Sequence, residues 1–265
     1  MRDHQRGKCL ITALVREVSL SLASCELTYL DRQTIDISLA QTQHFRYRKA
    51  LADLGCLVVS LPPENDLPDS VFVEDTAIVL DELFVITRPG ADSRKPETAS
   101  IAVRLAPYRQ LSQISAPGSL DGGDVLRYGK KVFIGRSGRS NEAGIKQLTS
   151  ILVPHGYETK AIDVDGCLHL KSAVTQVSDD TLLINSNWVA ADNFEGMKLI
   201  DVDAIEPMGA NALLIGGTVI YPAHFPRTRQ RLEATGIMVR AVDISELAKA
   251  EGSVTCCSLV FEVAS

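Results

Sequence analysis

The sequence contains no C-x-x-C pair, no charge run of five residues, no stretch rich in Gly, Ser or Pro, and no apolar run long enough to cross a bilayer. Without paired cysteine spacing, structural zinc is not expected. The cysteines (Cys9, Cys25, Cys56, Cys167, Cys256 and Cys257) are scattered, as suits reduced thiols in a cytoplasmic protein. Without a linker, residues 1–265 are expected to form a single domain. Basic clusters are also missing: 27 Lys and Arg against 33 Asp and Glu give a net charge of −6, which argues against nucleic-acid and anionic-membrane partners. Aromatics are only 5% while hydrophobic residues reach 45%, so the core should be Val, Ile, Leu and Ala. The opening MRDHQRGKCLITALVRE has a short apolar run closed at once by Arg16 and Glu17, with no A-x-A-like cleavage site. It reads as a strand and not as a signal peptide.

What is present is a repeat. Asp75, Asp124, Ser172, Asn211 and Cys256 each stand directly before a short apolar hairpin, at spacings of 49, 48, 39 and 45 residues. Each unit reads as two strands, a helix and a third strand. Helices are expected from about Pro96 through Ile101 and Leu105, and from about Ser140 with Ile145, Leu148, Ile151 and Leu152 apolar and Gly156 just past the end. A weak helix is expected over residues 188–196, and another over 227–235 before Gly236. The first unit is split: CSLVF at the end supplies its first strand and KCLITALV at the start its second. Its helix would span residues 37–54, with Leu39, Tyr47, Leu51 and Leu54 on one face. The pattern predicts a closed ring of five ββαβ units, with both termini meeting in one unit. The competing reading is an ordinary α/β sandwich whose repeat is chance.

If the openings converge, they assemble a thiol, an imidazole and carboxylates. Cys256 stands on an opening, while His169 and Asp121 each stand three residues ahead of one. Cys, His and acid at equivalent positions form the set for nucleophilic catalysis: thiolate attacks, imidazole moves protons, and the acid orients the ring. Taken singly, each has a plainer reading, as a buried thiol, a packing histidine or a turn. In DGGD, Gly122 and Gly123 let backbone approach a ligand closely, or simply turn between strands. In LPDSVFVED, Asp69, Glu74 and Asp75 lack neighbouring bases along the chain, which suits a planar guanidinium. A metal is the alternative, but it would need more than carboxylates and would leave the thiol idle. Arg94 and Arg139 follow successive hairpins and could together hold a carboxylate, or be ordinary surface arginines.

The segments LPDSVFVED, ITRPGADSR, LDGGDVL, FIGRSGRSNEAG, LHLKS and TCCS occur in an order that resembles the dimethylarginine dimethylaminohydrolases. These belong to the guanidino-group-modifying superfamily of five-bladed α/β propellers. The resemblance covers about residues 61–259 and is looser before; residues 20–41 lack the family's glycines. It implies a five-bladed α/β propeller with pseudo-five-fold symmetry, one catalytic domain and no cofactor. The substrate would be a small guanidino amino acid, methylated arginine, converted to citrulline and a methylamine through a Cys-thiouronium intermediate. Cys256 would be the nucleophile, His169 the proton carrier and Asp121 its orienting acid. Asp69, Glu74 and Asp75 would surround the guanidinium, Arg94 and Arg139 would hold the α-carboxylate, and Leu27 and Ala250 would offer carbonyls to the α-amino group.

Two other functions compete. Arginine deimination or amidino transfer uses the same chemistry. A non-catalytic ring-shaped binding protein is a different class, and it has no need of Cys, His and Asp at three openings. A homodimer is the expected assembly on frequency alone.

Overall fold

The computed structural model describes residues 9–264. The first eight residues of the amino-terminal segment, including Lys8 of the expected strand, lie outside them. The described strands form five separate three-stranded sheets, all wired alike. An antiparallel hairpin comes first, and a crossover then lays the third strand parallel to the hairpin's second. The crossover is obligatory, because parallel neighbours cannot be joined by a tight turn.

One sheet joins Ala77–Val79, Leu83–Ile86 and Gln110–Gln113. The next joins Val125–Tyr128, Lys131–Arg136 and Glu158–Asp163. Two more follow, from Val174–Gln176, Thr181–Ile184 and Lys198–Asp201, and from Leu213–Ile215, Thr218–Pro222 and Met238–Val242. The fifth is assembled from both ends of the described chain. Leu259–Ala264 pairs antiparallel with Cys9–Arg16, which pairs parallel with Leu57–Leu61.

The crossover helices follow the sequence pattern with two corrections. Helix α1, Ile37–Asp53, starts where the Asp36 side chain accepts from Leu39 N. Its buried stripe is Ala40, His44, Tyr47 and Leu51, and Leu39 is 38% exposed. Leu39 sits one position, about 100°, off the i, i+4, i+7, i+11 row that starts at Ala40. Helix α2 is Glu97–Leu105 and α3 is Glu142–Leu152; Asn141 caps α3 by accepting from Gly144 N at 2.9 Å. The chain leaves the α3 region through Gly156 at φ 76°, a conformation that suits glycine. Over residues 188–196 the expected helix does not form. A single 3-10 turn, Ala191–Phe194, spans that crossover, and its Phe194 packs edge-on against Phe133 at 5.0 Å. Val189 and Phe194 are the buried apolar residues of this stretch, too few to hold a helix of several turns on a core. Three further helices are α4, Leu170–Ala173, directly after His169, α5, Pro226–Ala234, and α6, Ser245–Ala248.

The sheets bury Val, Ile, Leu and Ala with few aromatics. Tyr47 is the exception that matters for function. Its hydroxyl lies 2.8 Å from Val254 O and 2.7 Å from Ser258 Oγ, pinning α1 to both sides of the Cys256 turn. No helix among the described residues is long and apolar enough to cross a membrane.

Candidate active site

The segments entering the hairpins meet, and a cycle of hydrogen bonds runs through them. Gly123 N donates to Asp75 Oδ1 at 2.9 Å, and Leu170 N donates to Asp124 Oδ1 at 2.9 Å. Asn211 Nδ2 donates to Lys171 O at 3.0 Å, and Thr255 N donates to Asn211 Oδ1 at 3.1 Å. Glu74 N donates to Cys256 O at 3.0 Å and returns to the start. Asp75, Asp124 and Asn211 are therefore joints between neighbouring units. Ser172 takes no part through its side chain.

On this frame Cys256 and His169 line one small cavity, about 20 Å³ in volume. Asp121 stands behind the histidine, with Oδ2 2.9 Å from His169 Nε2. Asp75 Oδ1 faces the other ring nitrogen, Nδ1, at 3.9 Å. Burial opposes charge on His169, but Asp75, the Asp121 hydrogen bond and Asp124 outweigh it and lift the imidazole to about 9. Burial likewise pushes Asp75 up, and His169, Arg94 and the Gly123 amide bring it down to about 2. The pair is an imidazolium and a carboxylate at neutral pH. Gly123 allows this closeness: a Cβ there would stand 2.6 Å from His169 Nδ1.

Asp75, Asp121 and His169 are also the one group of three His, Cys, Asp or Glu residues among those described with ligand atoms within 4.8 Å of one another. The two carboxylates address opposite nitrogens of one ring. That is the arrangement for holding a charged imidazole; a metal would bind one nitrogen and collect the carboxylates on that side.

Cys256 is half-buried, and burial together with Glu74 and Asp75 pushes its thiol up to about 12. Its neighbour Cys257 is fully buried, its sulfur 3.4 Å from Ser253 O, and burial with Cys256 beside it raises that thiol further. Only Cys256 lines the cavity.

The remaining expected residues separate. Asp69 and Asp75 line the cavity, but Glu74 turns to its far side, where Lys171 Nζ donates to Oε1 at 2.6 Å and Thr255 Oγ1 to Oε2 at 2.7 Å. There Glu74 borders a second cavity of about 260 Å³. The acidic cluster is thus balanced in space by bases that are remote in sequence. Arg94 is buried and already engaged. It donates to Asp75 at 2.6 Å, to Glu97 through Nε and Nη2 at 3.1 and 2.9 Å, and to Phe72 O at 3.0 Å. Its first task is to hold the segment 69–75. Arg139 is more accessible, with Nη2 2.9 Å from Thr28 Oγ1. Ala250 is buried and lines the cavity, whereas Glu26 lines it in place of the expected Leu27, which packs on the apolar core. Burial raises the Asp69 carboxyl against the pull of Arg94, and its Oδ2 accepts Glu26 N at 3.0 Å.

Sequence reasoning missed the support layer. Asp124 Oδ2 accepts from Ser137 and Ser140 hydroxyls, each at 2.6 Å, and Ser140 Oγ accepts Asp121 N at 3.1 Å. One buried carboxylate therefore positions the loops of both His169 and Asp121. Glu97, at the first turn of α2, was legible only as a helix-start acid; burial lifts it to about 7 even against its bonds to Arg94.

A family model described as arginine deiminase matches residues 63–209. The N(G),N(G)-dimethylarginine dimethylaminohydrolase of Streptomyces coelicolor is 38% identical over 257 residues, covering 93% of this chain and 95% of that protein. Its Pseudomonas aeruginosa counterpart is 35% identical over 228 residues, covering 85% and 90% respectively. A solved structure of a cysteine-to-serine mutant of the Pseudomonas aeruginosa protein with citrulline matches at a TM-score of 0.91 and 33% identity, covering 95% of this chain and 100% of that one.

Proposed function

This chain belongs to the dimethylarginine dimethylaminohydrolase family, and from that premise we propose that it hydrolyses methylated arginine to citrulline and a methylamine. It is then a hydrolase acting on a guanidino C–N bond. The observation that carries the reading is a charged His169, held between Asp121 and Asp75, in the same cavity as Cys256.

Guanidinium is a poor electrophile, so positioning matters most. Asp69 and Asp75 would hold the cation with its central carbon toward Cys256. The arriving cation favours thiolate, whose proton leaves to solvent. Sulfur bonds to the guanidinium carbon, and His169, already protonated, gives its proton to the departing amine as the C–N bond breaks. The resulting neutral imidazole takes a proton from water, hydroxide adds to the thiouronium carbon, and C–S cleavage frees citrulline as the hydroxyl proton passes to the departing sulfur and restores the Cys256 thiol. Asp121 keeps the ring oriented throughout. Arg139 and the rim near Arg94 would receive the α-carboxylate, and carbonyls around Leu27 and Ala250 the α-amino group. Glu74 contributes from behind, through the charge it places near Cys256.

The five sheets are read as blades of a propeller forming a single domain, with the first blade closed by both chain ends. The hydrogen-bond cycle and the pairing of Leu259–Ala264 with Cys9–Arg16 support this. A cytoplasmic location, where thiols stay reduced, and a homodimer complete the reading.

The test is citrulline release from dimethylarginine and from arginine, measured separately, in wild-type protein and Cys256→Ser. Citrulline from arginine alone would replace this reading with deimination. Undiminished turnover in Cys256→Ser would remove the nucleophile assignment and turn attention to Cys257. No turnover of any guanidino compound would leave the ring-shaped binding protein.

A further inference from the structure

The cavity holding Cys256 and His169 has room for about one water, and a methylated arginine is far larger. Something must open to admit it, and the segment beside the cavity is residues 26–32: Glu26 lines it, and Thr28 meets Arg139, another lining residue. This segment is tied down mainly by one side chain. Glu251 accepts Thr28 N at 3.0 and 3.1 Å through its two oxygens, and through Oε1 it accepts Tyr29 N at 2.5 Å and Leu30 N at 2.6 Å. Three consecutive amides converging on one carboxylate form an anion-binding concavity built of backbone, specific for charge and not for side-chain type. Glu251 itself sits at φ 58°, the only non-glycine residue with positive φ among those described. For glutamate that backbone is disfavoured, and such outliers gather at clamps and switches. Its neighbours are the cavity wall: Ala250 on one side, and Gly252, where a Cβ would meet the Phe72 ring at 2.1 Å, on the other.

We propose that Glu251 is a latch that holds residues 28–30 closed over the site, making it a positioning residue for substrate retention. The inference rests on the hydrolase reading for its kinetic part only. Two other ties of the segment come from residues assigned to substrate, Asp69 accepting Glu26 N and Arg139 donating to Thr28 Oγ1, and a third from Ser93, whose Oγ donates to Glu26 Oε1. A substrate entering the site competes for Asp69 and Arg139; Glu251 also borders the cavity, but its carboxylate is already taken up by the amides of Thr28, Tyr29 and Leu30. Holding residues 28–30 closed around bound substrate therefore falls to Glu251. Sequence alone does not reveal it, because residues 28 and 251 are 223 positions apart.

Hydrogen exchange at the amides of Thr28, Tyr29 and Leu30 tests the latch directly, alongside steady-state kinetics with dimethylarginine. Glu251→Gly removes the carboxylate and suits the positive φ, so it should fold; Glu251→Gln keeps one acceptor oxygen. We expect exchange at these amides to accelerate tenfold or more in Glu251→Gly and by less in Glu251→Gln. KM should rise about tenfold in Glu251→Gly with kcat within threefold of wild type, and Glu251→Gln should fall between. Unchanged exchange overturns the latch whatever the activity. Faster exchange with an unchanged KM overturns its role in retention. If wild type turns over no guanidino compound, the hydrolase reading fails, and the exchange measurement alone still decides whether Glu251 holds the segment.

Discussion

Cys256 should be an un-ionised thiol in the free protein and become a better nucleophile only when a guanidinium binds. Burial, Glu74 and Asp75 lift the thiol to about 12. At neutral pH this leaves on the order of one molecule in a hundred thousand as thiolate. A guanidinium held by Asp69 and Asp75 about 4 Å from the sulfur interacts with thiolate by ~4 kcal/mol at an effective dielectric of about 20. That is enough to lower the titration midpoint by about three pH units. The assay is ultraviolet thiolate absorbance against pH, wild type minus Cys256→Ser, with and without a non-hydrolysable guanidino amino acid. Linkage sets the sign. A ligand that lowers the midpoint must bind more tightly as pH rises between the bound and free midpoints, about tenfold per pH unit, and show no such dependence below the bound one. A midpoint unmoved by ligand would refute the reasoning, as would a free enzyme with full thiolate at neutral pH.

Three other outcomes follow from the same geometry. His169 is lifted from 6.5 to about 9, so its contribution to stability is complete below about pH 6.5 and lost as pH rises through 9; denaturant unfolding at pH 6 and 9.5 should show this loss in wild type and not in His169→Ala. Asp124→Ala strands Leu170 N and two serine hydroxyls, a cost on the order of 3 kcal/mol, and should lower Tm by roughly 6–12 °C and kcat by ~100-fold through misplaced His169 and Asp121. Gly123→Ala drives a methyl to 2.6 Å from the His169 ring, and should cut kcat by ~100-fold while destabilising less than Gly122→Ala, whose methyl would meet Glu74 O at 2.0 Å; calorimetry and citrulline assays separate the two effects.

The helices that rested on several apolar residues were legible, as α3 shows with Ile145, Leu148 and Leu152 buried. The crossover at 191–194 was not, because Ala-Asp-Asn-Phe offers one anchor and the expectation leaned on the repeat itself. Similarly, hydrophobicity alone puts Leu39 on the core face of α1, whereas rotation about the helix axis puts Ala40 there. Among site residues, His169 and Asp121 stand three positions ahead of their openings and Cys256 on its own, and they do meet. The acidic segment was harder to read. Its bases, Arg94 and Lys171, lie 19 and 97 residues from their partners Asp75 and Glu74.

By its own period and apolar spacing, the sequence determined the repeated hairpins, the crossovers and the residue types available for chemistry. Those are local properties: alternation, helical rows and turn residues act within a few positions of one another. Tertiary structure alone decided which carboxylates face the cavity, which are spent on Arg94 or Lys171, and which simply join one unit to the next. It also decided that Glu251 reaches residues 28–30. The physical reason is that charge, desolvation and hydrogen bonding depend on separation in space, and folding brings each of these groups to partners tens or hundreds of residues away.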